Sequence, residues 1–194
     1  MHINLNETFA KYSLPDMSEY FDIGDNRYKH ILGVGRLMEE LMSKTSNLNH
    51  HEKEWAIQAA YLHDIGYSKR LQISGFHPYD GYVYCIENGY SDTVAKAVLL
   101  HSDAVLEMLI KGWNFKSLYS DVIRSLTSIE KEVFELVTFC DIHTQSTGVP
   151  CTIEERLRDV LIRYPNDKTL PIGFFLKEAR LKQLEDKYAA QLSL

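Results

Sequence analysis

Six residues of this 194-residue chain could ligate a metal from the inner ends of separate helical segments: His30, His63, Asp64, His77, His101 and Asp141. His63 and Asp64 close the apolar run Ala59-Ala60-Tyr61-Leu62. A buried imidazole beside a buried carboxylate needs a partner, and a metal cation suits both. His101 follows Val98-Leu99-Leu100, and Asp141 lies between Phe139 and Ile142. Taken singly, each His reads more readily as a surface or hydrogen-bonded core residue than as a ligand. The HD pair, His101 and Asp141, each awkward on its own apolar run, together point to a shared metal centre.

The other histidines serve as controls. His2 is terminal, and His50-His51 opens a helix in a polar setting, so these three read as solvated. His143 stands about 200° around a helix from Asp141, so the two cannot face one site if that helix continues. If the helix ends there, His143 is a candidate for supporting a ligand or touching substrate.

The elements that must position these residues are helices. From Asn26 to about Lys44, Ile31, Val34, Met38 and Leu41 recur at three- and four-residue steps. A second helix is expected over residues 50–65, with the small stripe Ala56, Ala59 and Ala60 and with Gly66 as its stop. Residues 67–75 form a polar connection. Helices follow over 76–88, over 94–101 with Ser91 as N-cap, and over 104–111, ended by Gly112. Residues 113–127 support no firm element. Ser128 caps a helix over 129–143, Thr152 and Glu155 form a capping box for one reaching Tyr164, and a last helix runs from Phe174. That helix offers Phe175, Ala179, Leu184 and Tyr188 for packing. No period-two alternation persists, so the fold class is all-α, a single-domain helical bundle. The expected division is a lead-in at 1–25, a metal-binding core at 26–145 and C-terminal helices at 146–194.

Composition narrows the partners. A net charge of −6 argues against a nucleic-acid duplex surface. A small anionic substrate remains compatible, because bound divalent metals reverse the local sign. No apolar run approaches the roughly 20 residues that span a bilayer, and the first residues lack the basic and apolar regions of a signal peptide. Cys85, Cys140 and Cys151 are odd in number and lack CxxC spacing, which reads as reduced thiols in a cytoplasmic protein. Oligomeric state is not legible.

The ordered residues resemble the HD-domain superfamily of metal-dependent phosphohydrolases. Arg27-Tyr28-Lys29-His30 is similar to the Arg-x-x-His that opens many of its members, and Leu62-His63-Asp64-Ile65-Gly66 to the HD segment itself. Phe76-His77-Pro78-Tyr79-Asp80-Gly81 resembles the His-Pro-x-x-Gly element of the two-metal subgroup, Leu100-His101-Ser102 its further histidine, and Phe139-Cys140-Asp141 the terminal aspartate. The resemblance spans about residues 27–145 and implies a helical bundle of the HD/phosphodiesterase type. It implies that His30, His63, Asp64 and Asp141 hold one metal, while Asp64 bridges to a second held by His77 and His101. A shared carboxylate suits two cations, since it offsets their repulsion where an imidazole cannot bridge. Four imidazoles and two carboxylates suit Mn, Fe, Ni, Co or Zn better than Mg or Ca.

The implied activity is hydrolysis of a phosphoester or phosphoanhydride in a nucleotide or related small metabolite. Asp64, Arg27 and Lys69 are the residues expected to act in it, with Arg27 one turn before His30 and Lys69, beside Arg70, in the connection after the HD segment. Thr144, Ser146 and Thr147 could cap phosphate oxygens, and Gly81 could admit a close backbone approach. Two other readings use the same ligands: a di-iron oxygenase, and a sensor that binds a nucleotide without turning it over. No serine-nucleophile elbow, P-loop or Rossmann fingerprint competes.

Overall fold

In the computed structural model, which describes residues 5–167 and 169–192, the apolar stripe of the first long helix becomes one wall of the core. A short helix α1 (Leu5–Lys11) lies in a segment whose sequence shows no clear period, and its Phe9 packs edge-on against Tyr61. Helix α2 (Asn26–Lys44) has the expected limits and buries Ile31, Val34, Met38 and Leu41 completely. Helix α3 (His50–Leu62) starts on a capping box of Asn49 and Glu52. Its alanines 56, 59 and 60 are wholly buried, which lets α3 run through the centre against α2.

The HD pair does not lie inside α3. The helix ends at Leu62, Asp64 leaves helical geometry (φ −106°, ψ 9°), and a 3-10 turn covers Ile65–Tyr67. Gly66 is therefore not a helix stop. It is a point of contact, because a Cβ there would sit 2.1 Å from the His77 carbonyl oxygen. The missing side chain lets the HD turn press against the start of α4 (His77–Glu87).

Helix α5 (Asp92–Leu100) is capped by Ser91. Between it and α6 (Ala104–Lys111), Ser102 and Asp103 both adopt left-handed backbone, at φ 52° and 55°. Residues 116–125, unassigned from sequence, form α7 (Lys116–Ser125). Helix α8 (Ser128–Ile142) is capped by Thr127, not Ser128, through a capping box with Glu130. Helix α9 (Ile153–Arg163) begins on the expected Thr152–Glu155 box. Helix α10 (Thr169–Leu192) starts five residues before Phe174 and packs on α2, α6, α8 and α9. Its Leu184 and Tyr188 are buried, whereas Phe175 is 77% exposed and Ala179 also faces outward. Among the described residues, an isolated bridge between Thr144 and Pro150 is the extent of β pairing, and the three cysteines are buried and unpaired. No described helix is long and apolar enough to cross a membrane.

Candidate metal centre

Five helical segments bring the six residues together. His30 comes from the second turn of α2, His63 and Asp64 from the turn after α3, and His77 from the first position of α4. His101 caps the end of α5 and Asp141 lies in the last turn of α8. His30, His63 and Asp141 offer donor atoms that all lie within 4.8 Å of one another, as do Asp64, His77 and His101. Either group could hold a metal ion.

Asp64 stands between the two groups. Its Oδ2 is 3.2 Å from Nε2 of His63 and 3.8 Å from Nε2 of His30. Its Oδ1 is 3.4 Å from Nε2 of His77 and 3.7 Å from Nε2 of His101. His30 Nε2 also lies 2.9 Å from Asp141 Oδ1.

The supporting contacts orient the imidazoles as metal ligands require. Nδ1 of His63 meets the Ala60 carbonyl at 2.7 Å, Nδ1 of His101 the Val98 carbonyl at 2.7 Å, and Nδ1 of His30 the Gln145 carbonyl at 3.1 Å. Each ring donates through Nδ1 to a carbonyl, which leaves the Nε2 lone pair for the centre. His77 is held by stacking on Tyr67, with ring centroids 3.9 Å apart. Nε2 of His63 is fully buried, and the nearby Asp64 oxygen is out of line for a hydrogen bond. An orphaned buried imidazole nitrogen is costly unless a ligand takes its lone pair. The donor set and this orphan both fit a metal.

Gln145 reaches His30 because the loop over 144–151 lies directly on α2. A Cβ on Gly33 would sit 2.5 Å from the Gly148 carbonyl oxygen, and Gly148 itself has φ 80°. Only glycine satisfies both demands at low cost.

Charged neighbours complete the site. Arg27 donates to Asp64 Oδ2 and lies over the Tyr67 ring. Ser102 Oγ donates to Asp141 Oδ2, and Arg156 of α9 donates to Asp141 Oδ1 at 3.0 Å. Burial opposes ionisation of both aspartates, but Arg27 beside Asp64, and His30 and Arg156 beside Asp141, hold them well below the usual carboxylate range. Burial lowers His30 and pushes His77 well below the ordinary imidazole value. Burial acts the same way on His63, but the adjoining Asp64 carboxylate outweighs it and raises that residue. The centre opens into a cavity of about 340 Å³ whose wall includes Arg27, Asp64, His77, His101 and Asp141.

Several expected contributors lie elsewhere. Lys69 and Arg70 are exposed in the turn after the HD pair and do not line the cavity. Thr147 is exposed, Thr144 donates to the Cys140 carbonyl, and Ser146 is occupied with Asp159. His143 caps α8 with Nδ1 against the Phe139 carbonyl, and its Nε2 points to Glu185 of α10, away from the ligands. Gly81 admits Val98 of α5, not a substrate. His50 and His51 are exposed, while His2 falls outside the described residues. Conversely, Arg156, Tyr67 and Lys177 at the site carry no local sequence signal, because their roles depend on how distant helices fold back.

Comparison with known families agrees with this geometry. The family model described as HD domain matches residues 27–133, more than half of the chain. The chain belongs to the HD-domain family. The matched stretch of this HD-domain protein holds His30, His63, Asp64, His77 and His101, and Asp141 follows eight residues beyond it. The family consists largely of metal-dependent hydrolases whose members bind divalent metals. No curated protein and no solved structure gives a significant match.

Proposed function

We propose that this HD-domain protein is a phosphohydrolase. It uses two divalent transition-metal ions, drawn from Mn, Fe, Ni, Co and Zn, to cleave a phosphoester or phosphoanhydride in a nucleotide or related small metabolite. The observation that carries this reading is the placement of Asp64, which offers one oxygen to His30 and His63 and the other to His77 and His101. A bridging carboxylate between two nitrogen-rich groups suits a two-ion hydrolytic centre. When bound, such ions supply an activated water and Lewis-acid stabilisation of phosphoryl charge.

The chain's own residues have separate tasks. Asp64 and Asp141 supply the anionic ligands, and their depressed pKa keeps them ionised at neutral pH. The Nδ1 contacts of His30, His63 and His101 fix ring orientation before substrate arrives. Arg27, on the cavity wall, can neutralise a phosphoryl oxygen while its aromatic stack on Tyr67 fixes its direction. Three buried unpaired thiols are consistent with a reducing, cytoplasmic setting.

The test is an assay of metal-loaded protein against a panel of nucleotides and sugar phosphates, in parallel with Asp64→Ala. Release of phosphate or a nucleotide product, lost together with bound metal in the variant, supports the reading. Full activity in Asp64→Ala, or an oxygen-dependent iron signal with no hydrolysis of any phosphate, contradicts it.

A further inference from the structure

Helix α9 turns two arginines toward the cavity. Its Arg156 and Val160 are buried, whereas Leu161 is 37% and Ile162 71% exposed. Arg156, Asp159, Val160 and Arg163 fall at i, i+3, i+4 and i+7, which places them on one helix face. Arg156, Val160 and Arg163 from that face line the cavity that opens on the metal centre. Guanidinium groups rarely turn inward unless carboxylates meet them, and Asp141 and Asp159 do so here while leaving both arginines on the cavity wall.

Asp159 holds both arginines in place. It accepts from Arg156 Nη1 at 3.3 Å and from Arg163 Nη2 at 3.1 Å. It is itself anchored by the Ser146 backbone N–H at 3.2 Å and the Ser146 hydroxyl at 3.1 Å. Nε of Arg163 is buried without a hydrogen bond. From α10, Lys177 lines the same cavity and donates to the Ser102 carbonyl at 2.7 Å, next to His101. Residues 163 and 177 both lie beyond the segment matched by the HD family.

We propose that Arg163 and Lys177 form a phosphate clamp, and that the substrate is a phosphomonoester held through its terminal dianionic phosphate. The cleavage part of this statement rests on the phosphohydrolase reading; the binding part does not. The cavity wall carries Arg27, Lys111, Arg156, Arg163 and Lys177 against Asp64, Glu107, Asp141 and Asp167, and Asp159 behind the two arginines brings the carboxylates to the same number. Metal ions on Asp64 and Asp141 would leave cations in excess. A terminal phosphate, with charge between about −1.5 and −2 and three acceptor oxygens, matches that excess better than the single charge of a diester.

The experiment uses the full chain loaded with manganese. Inorganic phosphate is titrated by calorimetry into wild type, Arg163→Gln, Lys177→Gln and Arg163→Lys, with manganese content and melting temperature recorded. Hydrolysis of p-nitrophenyl phosphate is compared with that of bis(p-nitrophenyl) phosphate. The expected result is about tenfold weaker phosphate binding in each Gln variant, partial recovery in Arg163→Lys, retained manganese, and faster monoester than diester turnover. If Arg163→Gln melts early, Arg163→Lys and Lys177→Gln carry the comparison. Unchanged phosphate affinity in these variants, or faster diester turnover, overturns the clamp even if hydrolysis is observed. Phosphate binding that depends on both residues, without turnover of either ester or of the nucleotide and sugar-phosphate panel, sustains the clamp and removes the hydrolase reading.

Discussion

Arg156 and Asp141 meet at 3.0 Å across α9 and α8, so a helix outside the matched HD segment reaches a residue of the metal centre. The same guanidinium nitrogen lies 3.4 Å from Nε2 of His30. Both residues of the ion pair are buried, at 9% and 8% exposure. A buried pair contributes modestly as a whole, yet removing one partner leaves the other charge uncompensated.

Arg156→Met is therefore expected to destabilise the metal-free protein by about 3 kcal/mol. The penalty shrinks when metal is added, because a cation on Asp141 replaces the lost partner. Chemical denaturation with chelator and with manganese measures both values. An equal loss in the two conditions would show that Arg156 acts through packing alone.

Gly66→Ala drives a Cβ to within 2.1 Å of the His77 carbonyl oxygen and 2.6 Å of the Gly81 backbone nitrogen. Backbone cannot yield cheaply there, so a stability loss of about 3 kcal/mol is expected. His77 moves with α4, which weakens metal binding at the His77–His101 group more than at the His30–His63–Asp141 group. Thermal melts together with metal titration check this. A neutral substitution would mean that the HD turn and α4 are not in contact.

Metal affinity should fall as pH drops from about 8 to about 6. His30 and His77 are lowered by burial, so protons compete with metal there less than at an ordinary imidazole. His63 is raised despite its burial, chiefly by Asp64, so it takes up a proton as pH falls toward the ordinary imidazole value. The metal must displace that proton. Calorimetry in buffers of different ionisation enthalpy should detect proton release that diminishes at higher pH. Affinity that stays flat across the window would contradict the assignment of His63 as a ligand.

Tyr67→Ala removes both the stack on His77 and the surface beneath Arg27. Expected consequences are weaker metal binding at the His77–His101 group and turnover reduced about tenfold, with little change in melting because Tyr67 is itself exposed. Tyr67→Phe should restore both properties. Failure of the Phe variant to do so would assign the effect to the hydroxyl.

The limits of α2 and α9 were legible because apolar spacing and capping residues act locally. The same local rules misplace the end of α3. Apolar character continues through Ile65, but the close crossing at Gly66 bends the chain after Leu62. Helix α7 is not legible in the sequence because aromatic and β-branched residues there blur helical period. His63, Asp64, His101 and Asp141 are legible as polar residues on apolar runs, whereas His30 and His77 stand in mixed surroundings and are legible through the Arg-x-x-His and His-Pro-x-x-Gly elements. Arg156 is not, because in sequence it is an arginine in the first turn of a charged helix. Its role is created by α9 packing back against Asp141. Lys69, two residues beyond Tyr67, shows the converse: proximity in sequence to the HD pair does not bring its side chain to the cavity.

The most direct measurement is a crystal structure of the manganese- or iron-loaded protein with anomalous scattering recorded at the metal edge. The account predicts two anomalous peaks, one among His30, His63 and Asp141 and one between His77 and His101, with one Asp64 oxygen directed at each. A single peak, or two peaks with Asp64 turned away from either, would contradict the bridging role on which the proposed function rests.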